Sequence, residues 1–378
     1  MSRLLKILFM PVIIFFSAII LLSISVTGFF IFAPQIGGKA KGERLKKIQD
    51  SDNYQEGRFH NTVETNMDLP FSTMVKIAGK MLSTGSTNEP REIIQTIPFV
   101  KENYNNFQED DLLITWFGHS SLLIRMEGMV FLIDPVFSER ASMFSFIGPK
   151  RFNYTNYVKV EELPPLDAII LTHDHYDHLD YETMSKLKLM VGKFFVPLGV
   201  GAHLEHWGFA AKNINEMDWW ESININEKLD LICTPTRHFS GRGFTRFETL
   251  WCSWILSGQN QRIFLGGDSG YFPGFREIGE KYGPFDITFI ECGAYNENWK
   301  DIHIFPEEAI QAHIDLKGSV LMPIHWGKFN LAMHHWKEPV QRLTTKAYQK
   351  DVKIIFPEIG QIFTSKELPE GKWWEGYQ

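Results

Sequence analysis

Between Leu171 and Asp180 the chain places His173, His175, Asp177 and His178 within six residues. Neutral imidazole and carboxylate are the donors that borderline divalent metals prefer, so this concentration reads as a metal-binding loop. His173 and His175 are two apart and can reach one cation. Asp177 and His178 lie further round the turn and can reach a second. A polar surface loop is the alternative, but the apolar run Asp167-Ala-Ile-Ile-Leu-Thr172 feeds directly into the cluster. A strand that ends in a ligand loop is how α/β sheets usually present chemistry.

Other candidate donors follow strand-like runs in the same way. Leu229 to Thr234 leads into Pro235-Thr-Arg-His238, which offers a third imidazole for the first cation. Arg262 to Leu265 leads into Gly266-Gly-Asp268, where the glycines permit tight backbone geometry and the carboxylate can bridge two cations. Ser319 to Ile324 leads into His325, the last expected ligand. Asp177 and Asp268 are the carboxylates expected to serve catalysis. Asp134 ends the hairpin Ser121–Met126 and Met129–Asp134; it either caps a turn or accepts a hydrogen bond from a metal-bound imidazole.

Strands at Leu112–Trp116, Lys193–Val196, Asp286–Glu291, Lys353–Phe356 and Gln361–Thr364, with helices at Tyr181–Met190 and from Pro306, complete the pattern. It predicts an α/β fold of two packed sheets with helices outside, occupying residues 111–378 as one catalytic domain. Residues 39–110 are polar and turn-rich and are expected to form a linker and irregular lead-in, with a short amphipathic helix at Phe71–Leu82.

The 378 residues are 44% hydrophobic, enough for a large core, and the net charge of −7 argues against a nucleic-acid partner. Three widely spaced cysteines set in apolar runs read as buried thiols rather than a disulfide framework. No charge occurs between Lys6 and Lys39. That apolar stretch exceeds the roughly 20 residues a spanning helix needs, so residues 1–38 are expected to be a single-pass membrane anchor. A cleaved signal peptide is the alternative. Lys39, Lys41, Arg44, Lys46 and Lys47 outnumber Arg3 and Lys6, which favours a catalytic domain on the cytoplasmic face.

The spacing H-x-H-x-D-H resembles the signature of the metallo-β-lactamase superfamily of binuclear hydrolases. Thr115-Trp-Phe-Gly-His-Ser120, Asp134-Pro-Val-Phe137, Gly148-Pro-Lys-Arg-Phe152, Gly267-Asp-Ser-Gly-Tyr271, Gly293-Ala-Tyr295, Pro306-Glu-Glu-Ala309 and Ile324-His-Trp-Gly327 extend the likeness. Together they resemble the N-acylphosphatidylethanolamine-hydrolysing phospholipase D family over residues 110–340. The resemblance implies an αββα sandwich and two zinc ions, with manganese or ferrous iron left open. His173, His175 and His238 would hold the first ion, Asp177, His178 and His325 the second, and Asp268 would bridge them. It implies a substrate-side role for His303, a membrane phospholipid substrate and a homodimer. The implied reaction is attack of a metal-bridging hydroxide on phosphorus, giving phosphatidate and an N-acylethanolamine. Another hydrolase on this fold, a lactonase or nucleotide phosphodiesterase, is the alternative, because one scaffold hosts many reactions. Asp174, Phe239 and Phe272 depart from the family pattern and put lipid selectivity in question.

Overall fold

The computed structural model describes residues 33–67, 70, 88–108 and 111–377 without interruption, and scattered positions among 10–29 and 72–79. In chain order the strands are β1 (Tyr54–Gln55), β2 (Arg58–Phe59), β3 (Leu113–Trp116), β4 (Leu122–Met126), β5 (Met129–Ile133), β6 (Ala168–Ile170), β7 (Phe194–Pro197), β8 (Ile214–Met217), β9 (Ser222–Asn226), β10 (Leu229–Thr234), β11 (Gly241–Arg242), β12 (Thr245–Arg246), β13 (Ser253–Ser257), β14 (Arg262–Leu265), β15 (Phe285–Glu291), β16 (Gly318–Ile324) and β17 (Ile362–Thr364). The helices are α1 (Gly42–Gln49), α2 (Tyr181–Leu187), α3 (Gly201–His206), α4 (Gly274–Tyr282), α5 (Pro306–Asp315) and α6 (Glu338–Lys350).

Two sheets carry the fold. One has the order β17-β3-β4-β5-β6-β7-β8 and the other β16-β15-β14-β13-β10-β9. Side chains alternate across a strand, and the first sheet uses both faces. Ile114, Trp116, Leu122, Ile124, Phe131 and Ile133 join the core shared with the second sheet. Their neighbours Leu113, Leu123 and Leu132 join a separate core with Met184 and Leu187 of α2 and Leu204 of α3. A sheet apolar on both faces must be covered on both, which produces the αββα layering.

Strand direction decides where the chemistry goes. β5, β6, β7 and β8 run parallel, as do β14, β15 and β16, while β4 and β13 run against their neighbours. β3, β5, β6, β10, β14, β15 and β16 therefore deliver their C-terminal ends to one edge of the sandwich. The reversed strands β4 and β13 contribute no candidate ligand.

Several expectations need correction. The segment expected to be a linker is packed onto the hydrolase body: Ile48 of α1, Phe59 of β2 and Ile94 are each no more than 1% exposed. Arg44 pairs with Glu205 at 3.2 Å and with Glu216. The polar composition that suggested a linker reflects a surface layer with a few buried apolar pins. Lys353–Phe356 is not a strand. Leu321 N donates to Lys353 O and Ile355 N to Leu321 O, each at 2.9–3.0 Å. The ladder then stops, because the next donor on β16 would be Pro323, which has no N–H. Helix α6 was not anticipated. The three cysteines are free and buried. The helix expected at Phe71–Leu82 and the anchor expected at residues 1–38 fall largely outside the described residues. No helix among the described residues is long and apolar enough to cross a membrane. Ile14, Phe15, Phe16, Ile20 and Leu21, which are described, are helical and exposed.

Candidate metal centre

The C-terminal ends of β3, β5, β6, β10, β14, β15 and β16 each present a donor, and three of these residues need unusual backbone to do so. His119 after β3, Asp134 after β5 and His325 after β16 have φ of 57°, 40° and 64°. Left-handed backbone at non-glycine residues costs about 1–3 kcal/mol each and persists only where the surroundings enforce it. Here His119 N donates to Trp326 O and His325 N to His119 O, both at 2.9 Å, so the two strand ends brace each other. Gly267 sits at φ 59°, and a Cβ there would meet Thr172 Cβ at 2.9 Å and Cys252 O at 3.0 Å. The glycine lets the Asp268 turn lie directly against the residue preceding His173.

The expected ligands converge in two groups. Donor atoms of His173, His175, His238 and Asp268 all lie within 4.8 Å of one another, as do those of His119, Asp177, His178 and His325. Asp268 reaches both, with Oδ1 3.2 Å from His178 Nε2 and Oδ2 3.1 Å from His325 Nε2 and 3.7 Å from His238 Nε2. In the first group His173 Nε2 and His238 Nε2 approach His175 Nδ1 at 2.9 and 3.2 Å. Ring nitrogens facing one another repel unless a proton or a cation lies between them.

Hydrogen bonds on the far side of the rings fix which nitrogen carries the lone pair. His238 Nδ1 bonds Ile302 O at 2.8 Å. Thr172 Oγ1 donates to Asp134 Oδ2 at 2.6 Å and lies 3.0 Å from His173 Nδ1, so it accepts from that ring. His178 Nδ1 donates to Asp134 Oδ2 at 2.9 Å. Each ring is left with Nε2 turned inward, the arrangement that prepares imidazoles for metal. Asp134 thus supports two rings at once, and its own Oδ1 is held by Thr172 N at 2.8 Å.

Buried atoms without a hydrogen-bond partner give an independent test of fit. His178 Nε2, Asp268 Oδ1, His119 Nδ1 and His325 Nδ1 are in this condition. Although His178 Nε2 and Asp268 Oδ1 are only 3.2 Å apart, their orientation does not make a hydrogen bond. Buried polar atoms are otherwise satisfied almost everywhere in folded proteins, and a cation between these two donors would satisfy both. The donor set of imidazoles and carboxylates fits divalent metal.

Electrostatics separate the rings, with His119 of the second group siding with the first: burial and the nearby His325 hold it down at about 3. Burial pushes His173 and His238 well below the usual imidazole range and His175 down to about 4. Burial also acts on His178 and His325, but Asp268 and Asp177 overcome it and hold His178 well above that range and His325 at about 10. Burial would raise Asp177 and Asp268, yet the surrounding imidazoles, His178 first, hold both well below the usual carboxylate range.

The sequence reading assigned no role to three contributors. His119 Nε2 lies 2.9 Å from Asp177 Oδ2 and its ring is fully buried. Glu291, at the end of β15, accepts from Ser269 N at 2.7 Å and from His303 Nδ1 at 2.8 Å. Both follow the strand-then-donor pattern that found the others. Asn61 had no such signal: from the supposed linker its side chain donates to His238 O at 2.8 Å and accepts from His238 N at 3.1 Å. Asp174 is buried behind the site, where it accepts from Thr249 Oγ1 at 2.9 Å and Gly241 N at 2.7 Å and lies 3.2 Å from His203 Nε2. Arg242, 3% exposed, donates to the carbonyls of Asp174 and Leu179 at 2.6 and 2.8 Å and so clasps both ends of the His175–His178 loop. A cavity of about 510 Å³ opens over the cluster, lined by His175, Asp177, Asp268, His303 and His325 and by Met67, Phe239, Trp299, Ile302 and Leu331. Phe272, by contrast, is 2% exposed in the core and is no part of its lining.

Comparison with known proteins agrees with this geometry. Residues 130–326 match the family model described as a beta-lactamase superfamily domain. An uncharacterized protein of Mycobacterium tuberculosis is 41% identical over 332 residues, 86% of this chain and 88% of that one. The N-acyl-phosphatidylethanolamine-hydrolyzing phospholipase D 1 of Caenorhabditis elegans is 33% identical over 298 residues, 74% of this chain and 83% of that one. Among solved structures, the metallo hydrolase Igni18 of Ignicoccus hospitalis shares the fold, with a TM-score of 0.52 at 20% identity over 67% of this chain and 97% of that one. On the matched family model, the shared sandwich and the strand-end donors gathered at one edge, the chain belongs to the metallo-β-lactamase superfamily and is a metal-dependent hydrolase.

Proposed function

We propose that this hydrolase cleaves N-acylphosphatidylethanolamine on the side of its N-acylethanolamine, releasing phosphatidate, with two zinc ions as its working metals. The observation that carries the reading is the cavity itself: a floor of imidazole and carboxylate donors under walls of Met67, Phe239, Trp299, Ile302 and Leu331. Such a site accepts a charged phosphodiester at its base and apolar chains along its sides. Similarity to the nematode phospholipase D over most of both chains supports the same substrate.

Bound divalent cations supply charge neutralisation for the phosphodiester and activation of water. The protein's own residues do the rest. Asp134 and Thr172 hold the imidazoles in their inward tautomer. Asp268 links the two groups, and Asp177 is anchored between His119 and His325 at 2.9 and 3.2 Å. With Nδ1 of His303 donated to Glu291, its Nε2 remains for a phosphoryl oxygen or the departing alcohol. Arg246, over the Phe239 ring at 5.3 Å, adds a cation to the cavity wall. The apolar N-terminal stretch would hold the enzyme at a bilayer, with the basic residues after it on the cytoplasmic side.

The test is mass spectrometry of N-acylphosphatidylethanolamine vesicles incubated with metal-loaded protein, beside a metal-stripped control and a panel of lactones and cyclic nucleotides. Appearance of N-acylethanolamine and phosphatidate only with metal is the expected result. Turnover confined to lactones or nucleotides would overturn the substrate assignment.

A further inference from the structure

The chain passes from its apolar N-terminal stretch into a short strap, residues 34–38, that lies against α3 and the β11–β12 hairpin. Bonds at three of its residues fasten it. Trp207 Nε1 donates to Pro34 O at 2.7 Å, Arg242 Nε and Nη2 both donate to Gln35 O at 2.9 and 2.6 Å, and Gly38 N donates to His203 Nδ1 at 3.1 Å. Two glycines make this seat possible. Gly37 has φ 81° and a Cβ there would collide with the His203 ring, while one on Gly38 would meet Ala202 O at 2.5 Å and His206 Cβ at 2.6 Å.

The residues that receive the strap also hold the metal loop. The remaining nitrogen of the Arg242 fork, Nη1, donates to Asp174 O and Leu179 O, on either side of His175, Asp177 and His178. The guanidinium lies over Tyr176 of that loop at 4.2 Å and over Trp207 at 5.4 Å, and its charge is met by the nearby Asp174 and Asp180 carboxylates. A guanidinium is planar and rigid, so the two nitrogens that grip Gln35 O set the direction of the one that grips the loop. With Gly38 N donating to Nδ1, His203 carries its proton on Nε2 and donates it to Asp174 Oδ2 at 3.2 Å. Asp174, one of the departures from the family pattern, is thus turned to the strap side, where it lines a small cavity together with residues 36–40. Two relays run from strap to metal loop: Gln35 through Arg242, and Gly38 through His203.

We propose that the strap is a positioning element of the metal centre, and that Arg242 and His203 are the positioning residues through which it sets the His175–His178 loop. Both nitrogens of His203 are engaged and Arg242 is itself a cation, so neither is a ligand. They act by fixing where the donors of the loop stand, and such outer partners are worth about 10–100-fold in metal affinity. The coupling is reciprocal, so a metal that fixes the loop also fixes the strap. It holds whichever substrate the enzyme hydrolyses.

The experiment compares the full-length chain with Gly37→Ala, Arg242→Lys, the double variant and Ile48→Ala. Zinc affinity is read by competition with a chromogenic chelator, site geometry by the visible absorption of cobalt-substituted protein, and stability by melting of the metal-free protein. Gly37→Ala and Arg242→Lys should each weaken zinc about tenfold and alter the cobalt spectrum, and the double variant should fall well short of the roughly hundredfold loss that independent effects would give. Ile48→Ala, which empties core space under the same N-terminal layer, should lower the melting temperature yet keep the parent zinc affinity and cobalt spectrum. In the unsubstituted chain, hydrogen exchange read by mass spectrometry should be about threefold slower or more at the amides of residues 36–38 when zinc is bound. Undiminished zinc affinity in Gly37→Ala, a roughly hundredfold loss in the double variant, or strap exchange indifferent to zinc would each overturn the proposal. An equal loss of zinc in Ile48→Ala would overturn it too, because metal loading would then follow stability alone.

Discussion

The two halves of the metal centre are built from similar residues, yet burial governs the rings of the first while carboxylates govern two of the three rings of the second. Around His173, His175 and His238 burial dominates, and the rings are held neutral with lone pairs facing one another. Around His178 and His325 the carboxylates Asp268, Asp177 and Asp134 outweigh burial and raise both rings above the usual imidazole range, while burial holds their neighbour His119 down at about 3. In the metal-free protein burial favours neutral rings in the first half, whereas at His178 and His325 the neighbouring carboxylates favour the charged form. Ligand identity alone therefore does not set how a half-site loads. The carboxylates standing behind and beside the rings do.

The strongest way to break this comparison is to remove the residue both halves share. Asp268→Ala should abolish hydrolysis and reduce metal content at both positions, read by plasma emission spectrometry and turnover on the same sample. A fully active variant retaining both metals would show that the halves are independent. Next in size, Asp134→Asn should cost about 10–100-fold in metal affinity or activity, because it loosens His178 and, through Thr172, His173. A spectroscopic titration with cobalt should locate the weakened step in the second half, where the Asp134 carboxylate contacts the ring directly.

The pH dependence sharpens the contrast. In metal-free protein His325 is raised from 6.5 to about 10, so its ion pairs stabilise the fold fully below pH 6.5 and that contribution is lost as pH climbs through about 10. Asp177 and Asp268 are lowered from 3.8, so their contribution is present above that value and lost as pH falls toward their depressed pKa values. Melting temperatures of chelator-treated protein should therefore decline from pH 6.5 to 10, while metal-loaded protein, in which cations take the place of the protons, should lack that decline. Parallel curves would contradict the second-half assignment. The smallest effect is expected from Asn61→Ala, which removes the two side-chain bonds to the His238 backbone. It should cost about 1–3 kcal/mol in urea unfolding and weaken the first half without moving the second.

Much of the centre was legible because strand ends repeat one grammar: an apolar run, then a donor. That pattern found His173, His175, Asp177, His178, His238, Asp268 and His325, and the coordinates gather all seven at one edge of the sandwich. It would have found His119 and Glu291 as well, had every strand end been weighed equally. Other supports carried no local signal. Asn61, Arg242 and Lys328 act through backbone carbonyls or amides on distant segments, and such contacts leave no spacing in the chain.

Residue order by itself determined the donors, the strands that carry them and the layered fold, since metal preference and hydrophobic period are properties of short stretches. Only the folded molecule decided which rings burial pushes toward the neutral form and which the carboxylates pull toward the charged one, that Asp134 serves two imidazoles, and that residues 39–67 pack on the hydrolase body. Those outcomes depend on burial and on charges brought together from distant segments, and both come into being when the sheets close on each other.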